Sequence, residues 1–192
     1  MMRLSRKKYN RQLCQTFGRG KLHIIVRQKP GNRSRGILAI GGQCFPCSLG
    51  RGGVVSRKRE GDGGTPLARM RVLYGFFREG RGGLAPSLIS VSRVSPAEGW
   101  CDAPTDRNYN RKVRLPYRAS HEMMQRSDHL YDIGLVLDWN ISMRKRNTGS
   151  AIFLHLAQQD FKPTEGCIAV TRPVMNRLLR LISRESYIEV RH

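Results

Sequence analysis

The sequence predicts a mainly β, single-domain fold, a sandwich-like arrangement of mixed sheets with one or two short helices. Three observations carry this. Short apolar runs recur along the chain, bounded by Gly, Pro and Asn, as strands are by turns. Only one long stretch, after Pro173, spaces its apolar residues at helical intervals. The length of 192 residues with 39% hydrophobic content suits one core.

Residues 1–20 are polar and basic and are expected to be a disordered lead-in; 21–192 form the expected domain. Residues 22–26 (Leu-His-Ile-Ile-Val) read as the first strand, closed by Pro30-Gly31-Asn32. Residues 37–40 and 43–48 read as a hairpin around Gly41-Gly42. The Gly/Arg-rich stretch 49–64 lacks the Gly-Lys-Ser/Thr ending of a phosphate loop, so it is expected to be a flexible crossover. A strand over 67–77 places Met70, Val72 and Tyr74 on one face and Arg69 and Arg71 on the other. Residues 87–92 read as a short strand. Residues 94–116, with Trp100, three prolines and an Asn-Tyr-Asn cluster, read as an irregular functional loop. Residues 120–126 read as a short helix with Ser120 as N-cap. A strand over 130–139 points Tyr131, Ile133, Leu135 and Leu137 one way. After Cys167 a helix opens at Pro173 and buries Val174, Leu178, Leu181 and Ile182, and 187–191 closes the chain as a strand.

Lys and Arg number 35 against 14 Asp and Glu, a net charge of +21 that predicts an acidic partner. Nucleic acid is the first suspicion, but no basic run stands beside an aromatic RNA-binding signature, so no specific nucleic acid is expected, and a carboxylate-rich wall polymer fits the charge as well. The five cysteines (Cys14, Cys44, Cys47, Cys101, Cys167) are an odd count, leaving at least one thiol unpaired in a monomer. Cys44 and Cys47 have half of a zinc-knuckle spacing with no second pair, so they read as structural and no metal site is expected. The basic start has no apolar core, so neither a complete secretory signal nor a membrane span is expected there.

The chemistry concentrates in 149–170. One apolar run ends on His155 and the next begins at Cys167. If both are strands, period-2 geometry aligns Ala151, Phe153 and His155 on one face, and Cys167, Ala169 and Thr171 on one face of the other. A histidine beside a thiol is what nucleophilic cysteine chemistry needs: a base to make the thiolate. Alone, a cysteine at a strand start is more often a small core residue, and a histidine at a strand end is commonly satisfied there.

Thr164-Glu165-Gly166-Cys167, preceded by His155, resembles the motif of the L,D-transpeptidase catalytic-domain (YkuD-like) family, the cysteine enzymes that cross-link bacterial peptidoglycan. The segments 58–66 (Lys-Arg-Glu-Gly-Asp-Gly-Gly-Thr-Pro), 45–52, 99–102, Tyr109-Asn110 and 130–132 are similar to one branch of that family, in the same order. The chain departs at Glu165, where the commoner motif has a second histidine, and at Ala169, where many members carry arginine. The resemblance implies an acyltransferase that needs no cofactor and acts on peptidoglycan stem peptides through a thioester. It implies Cys167 as nucleophile, His155 as general base and acid, and the Gly166 and Cys167 backbone N–H groups as oxyanion donors. Thr164, Glu165, Trp100 and Tyr131 are the candidate substrate contacts, with Tyr109 a further one, although aromatic residues in a β domain are more often core. Glu165 either steers an amine acceptor or caps the loop. His121 and His129 read as surface histidines, and Arg57, Arg59, Arg69 and Arg71 as solvated charge that can meet stem-peptide carboxylates. The resemblance also implies a cell-envelope location. Hydrolysis or D-amino-acid exchange by the same chemistry, and non-catalytic binding of a polyanion, are the alternatives. The sequence leaves the oligomeric state open.

Overall fold

The computed structural model describes residues 21–192; the expected lead-in and Cys14 lie outside the described residues. Strand β1 (His23–Lys29) turns into β2 (Asn32–Ile40), and Gly41-Gly42 leads into β3 (Gln43–Ser48). Gly41 and Gly42 both have positive φ (53° and 79°), as the tight hairpin expected here requires. The next strands are β4 (Val54–Val55), β5 (Thr65–Pro66), β6 (Arg69–Phe77) and β7 (Val91–Arg93). A small layer follows: β8 (Glu98–Cys101), β9 (Arg111–Arg114) and β10 (His121–Met123). The chain ends with β11 (Ile133–Leu137), β12 (Phe153–Leu156), a 3-10 turn at Gln159–Phe161, β13 (Ile168–Val170), helix α1 (Arg172–Leu181) and β14 (Tyr187–Arg191).

Nine strands pair in the order β11-β12-β13-β3-β2-β1-β14-β6-β7, and β11 also pairs with β6, so the sheet closes on itself. Pairing is mixed: β12–β13, β1–β14 and β6–β7 are parallel, the remaining pairs antiparallel. One core lies on the face against α1, where Val174, Met175, Leu178 and Leu179 meet Leu135, Leu154 and Ile168. Ile182 is buried just beyond the helix, whereas Leu181 only borders the core. A second core, richer in aromatics, fills the opposite face under the three-stranded sheet β10-β8-β9.

Four expectations are corrected. In place of the helix expected at 120–126, His121–Met123 form strand β10, pairing with β8 (Glu122 opposite Trp100), and the following residues are irregular, with Met123 exposed and Met124 fully buried. Tertiary pairing overrides a short helical propensity. The irregular stretch 94–116 contains two of that sheet's strands. Tyr131 precedes β11 and joins the aromatic core, while Ile133, Leu135 and Leu137 face the aliphatic one. In β6 a register shift opposite Val136/Leu137 puts Tyr74 with the aromatic core, away from Met70 and Val72. Three further strands keep their place but are shorter or shifted: 67–77 begins at Arg69, 87–92 is Val91–Arg93, and 130–139 is Ile133–Leu137.

The Gly/Arg stretch is not a loose crossover. Asp62 accepts from the backbone N–H of Arg59 (2.7 Å) and Gly64 (2.8 Å) and pairs with buried Lys58. Gly50 N–H donates to buried Thr65 Oγ1 (2.8 Å). The loop then clamps the turn before β13: Arg51 N–H donates to Thr164 O (2.8 Å) and Thr164 N–H to Leu49 O (3.0 Å). At Gly50 a Cβ would meet Gly63 O at 2.1 Å, so only glycine lets these two backbones approach.

Candidate active site

Strands β12 and β13 run parallel with Leu154 opposite Ile168 and His155 opposite Ala169. Alternation sends Leu154 and Ile168 into the aliphatic core, and Phe153 and Cys167 into the aromatic one. His155 shares that second side, its ring edge-on to Tyr131 at 5.2 Å. His155 and Cys167 therefore open into one cleft of about 500 Å³. Both are nearly covered, 4% and 8% exposed.

The Cys167 thiol donates to Ala151 O (3.1 Å), and Phe153 N–H donates to Sγ (3.3 Å). Burial, together with the facing Glu122 carboxylate, pushes the thiol up to about 12, against the lowering by Phe153 N–H, Lys58 and Arg126. His155 Nδ1 is 2.8 Å from Leu156 O. A carbonyl only accepts, so Nδ1 carries the proton and Nε2 is the free basic nitrogen. Burial lowers the imidazole to about 4, with the Leu156 carbonyl opposing and Arg126 assisting. The resting cleft thus holds a neutral thiol and a neutral imidazole.

The turn entering β13 is built by Thr164. Its hydroxyl donates to Cys167 O (2.6 Å) and accepts from Gly166 N–H (3.2 Å). Gly166 has φ +132°, and a Cβ there would meet Gly64 O at 2.8 Å. Both facts require glycine. In the resting site the Gly166 N–H, expected as an oxyanion donor, points to Thr164 Oγ1.

Tyr131 lines the cleft and donates its hydroxyl to Glu122 Oε1 (2.6 Å). Glu165 also lines it, pairing at its exposed rim with Arg51 (2.8 Å). Trp100 does not. It is 3% exposed, stacks edge-on against Phe153 (5.0 Å, 86°), and supports the floor beneath Cys167 instead of touching a groove. Tyr109 is equally buried, its hydroxyl bonded to Glu60.

Several residues that shape the site escaped the sequence reading. Asn110, 1% exposed, accepts from both Trp100 Nε1–H (2.9 Å) and Ala151 N–H (3.1 Å). It thereby holds Ala151, whose φ of +51° is unusual for alanine, with its carbonyl toward the thiol. The Asn-Tyr-Asn cluster was the available signal. Glu122 and Arg126 line the cleft from the segment read as a helix, Arg126 forked onto Asp128 (2.8 to 3.1 Å).

A family model for the YkuD L,D-transpeptidase catalytic domain matches residues 34–190. The chain belongs to that family. The match takes in the Gly/Arg clamp, the small sheet, His155 and the Thr164–Cys167 turn, so each of the cleft's walls lies inside the YkuD domain. Among solved structures, an L,D-transpeptidase from Mycobacterium smegmatis is similar at 11% identity with a TM-score of 0.42, over 90% of this chain and 59% of that one. No curated protein sequence matches the chain. No helix among the described residues is long and apolar enough to cross a membrane.

Proposed function

We propose that this YkuD domain is a cysteine-dependent L,D-transpeptidase that remodels peptidoglycan through a thioester on Cys167. The observation that carries this reading is the shared cleft: a free thiol at the entry to β13 and, on the parallel neighbour β12, a histidine with Nε2 unprotonated. His155 Nε2 takes the thiol proton as Sγ leaves its contact with Ala151 O and attacks the carbonyl of a diaminopimelate–D-Ala bond. The C–S bond forms, the C–N bond breaks, and the imidazolium returns the proton to the departing D-Ala amine. An amine of a second stem peptide then takes the acyl group from sulfur. The Gly166 and Cys167 N–H groups are the oxyanion donors of this reading, that of Gly166 once it leaves Thr164 Oγ1.

The high thiol pKa fits a nucleophile activated only as the proton moves to His155, since a resting thiolate would lie in a buried site facing Glu122. The net charge of +21 suits an anionic wall polymer, and that substrate places the activity in the cell envelope. The test is product analysis by mass spectrometry after incubation with a disaccharide-tetrapeptide. Wild-type protein is expected to release D-Ala and form cross-linked product. Cys167→Ala is expected to do neither while keeping its fold. Folded wild-type protein that releases no D-Ala refutes the reading.

A further inference from the structure

The cleft carries the opposite charge to the molecule. Lys and Arg outnumber Asp and Glu by 35 to 14, yet Glu60, Asp102, Glu122 and Glu165 line the cleft against Arg126 and Lys162. Two of these carboxylates are engaged at the edges, Glu60 by Tyr109 and Glu165 by Arg51. Glu122 accepts the Tyr131 hydroxyl at Oε1 (2.6 Å), while its Oε2 takes no hydrogen bond among the described residues. It lies near enough to Cys167 for its charge to disfavour the thiolate, and Asp102 acts on Glu122 in the same way. The nearest cation, Arg126, is 3.6 Å from Glu122 Oε1 and is already forked onto Asp128.

The same cleft holds polar atoms that lack partners. Asp102 Oδ1 and Ser150 Oγ are buried and make no hydrogen bond, and Ser150 is only 7% exposed. A carboxylate oxygen only accepts, so Asp102 Oδ1 lacks a donor, and the excess of carboxylates in the lining favours one that is cationic. The cation is not a metal ion by this geometry, because no group of three His, Cys, Asp or Glu among the described residues is placed to hold one. An ammonium group supplies three N–H donors and one positive charge.

We propose that Glu122, backed by Asp102, is the subsite for the ammonium of the acyl acceptor, and that Glu122 removes its first proton. The proposal rests on the acyl-transfer reading above. With the acyl group on Cys167, the ammonium docks on Glu122 and passes one proton to the carboxylate, leaving a neutral amine. The nitrogen lone pair attacks the thioester carbonyl, the C–N bond forms and the C–S bond breaks. The second nitrogen proton travels through His155 to the leaving sulfur, and Glu122 gives its proton to solvent. Burial raises the Glu122 carboxyl, which makes it a better base than an exposed glutamate. Water carries no charge for Glu122 to hold, so the residue directs the thioester toward amines and away from hydrolysis.

The experiment compares wild type, Glu122→Gln and Asp102→Asn, each shown folded by thermal melting. A disaccharide-tetrapeptide serves as donor, and a tripeptide stem with a free diaminopimelate amine as acceptor; the same stem acetylated on that amine is the control. Intact mass reads thioester formation, and product analysis reads the split between aminolysis and hydrolysis. Glu122→Gln is expected to form the thioester at least as fast as wild type, because the charge that disfavours the Cys167 thiolate is gone. Aminolysis is expected to fall about 100-fold, so that hydrolysis dominates, and Asp102→Asn to shift the split in the same direction by less. An unchanged split overturns the proposal, as does a loss of thioester formation that matches the loss of transfer. Wild-type protein that forms no thioester refutes the acyl-transfer reading itself, a separate result.

Discussion

The two faces of β11, β12 and β13 differ in chemistry although they alternate along the same residues. Toward α1 the strands present Leu135, Leu137, Leu154, Leu156, Ile168 and Val170, all nearly or fully buried and aliphatic. Toward the small sheet they present Val136, Phe153, His155 and Cys167 among Phe76, Trp100 and Tyr131. The aliphatic face needs only close packing, and its side chains carry no donors to satisfy. The other face is built from rings with polar handles, in which Trp100 reaches Asn110 and Tyr131 reaches Glu122. Those handles tie the floor of the cleft to the loops that aim the thiol and imidazole. One face stores stability, and the other spends part of it on buried, neutral titratable groups.

This contrast predicts that substitutions on the two faces separate activity from stability. The largest effect is expected for His155→Gln, which removes the base: acyl transfer should fall about 1,000-fold with little change in the unfolding midpoint, both measurable on one preparation. Leu154→Ala, one residue away on the other face, should do the reverse. Loss of a fully buried leucine there costs about 2 to 5 kcal/mol in denaturant titration, while activity per folded molecule stays near wild type. Comparable losses of both properties from both variants would break the contrast.

The histidine also predicts a pH signature. Its pKa is lowered in the folded protein from 6.5 to about 4. Between those values the unfolded chain binds more protons, so folding stability should drop as pH falls from 6.5 toward 4. The loss from this group is of order 3 kcal/mol at most, and His155→Gln should remove that part of the pH dependence of urea unfolding. The smallest effect belongs to Tyr131→Phe. It deletes the hydrogen bond to Glu122 and should cost about 1 kcal/mol, with the His155 contact kept by the ring.

The strand alternation that unites His155 and Cys167 was readable in sequence because each run is short, apolar and bounded by turns. The hairpin at Gly41-Gly42 and the helix after Pro173 were legible for the same local reasons. What was not legible depends on distant partners. Within 120–126, His121–Met123 become a strand only because β8 offers its edge, and that change brings Glu122 into the cleft. For Trp100 a groove role and a core role both stood open, because its partners Phe153 and Asn110 lie 53 and 10 positions away and no local pattern announces them. The glycines of 49–64 read as flexibility, whereas Gly50 is there for close backbone approach to the segment around Gly63.

The central claim is that Cys167 carries the acyl group, and intact-mass analysis with peptide mapping tests it most directly. After brief incubation of folded protein with a disaccharide-tetrapeptide, the account predicts an adduct equal to the donor minus D-Ala, mapped to Cys167 and absent from Cys167→Ala. An adduct on Cys44, Cys47 or Cys101, or D-Ala release that persists in Cys167→Ala, would contradict it.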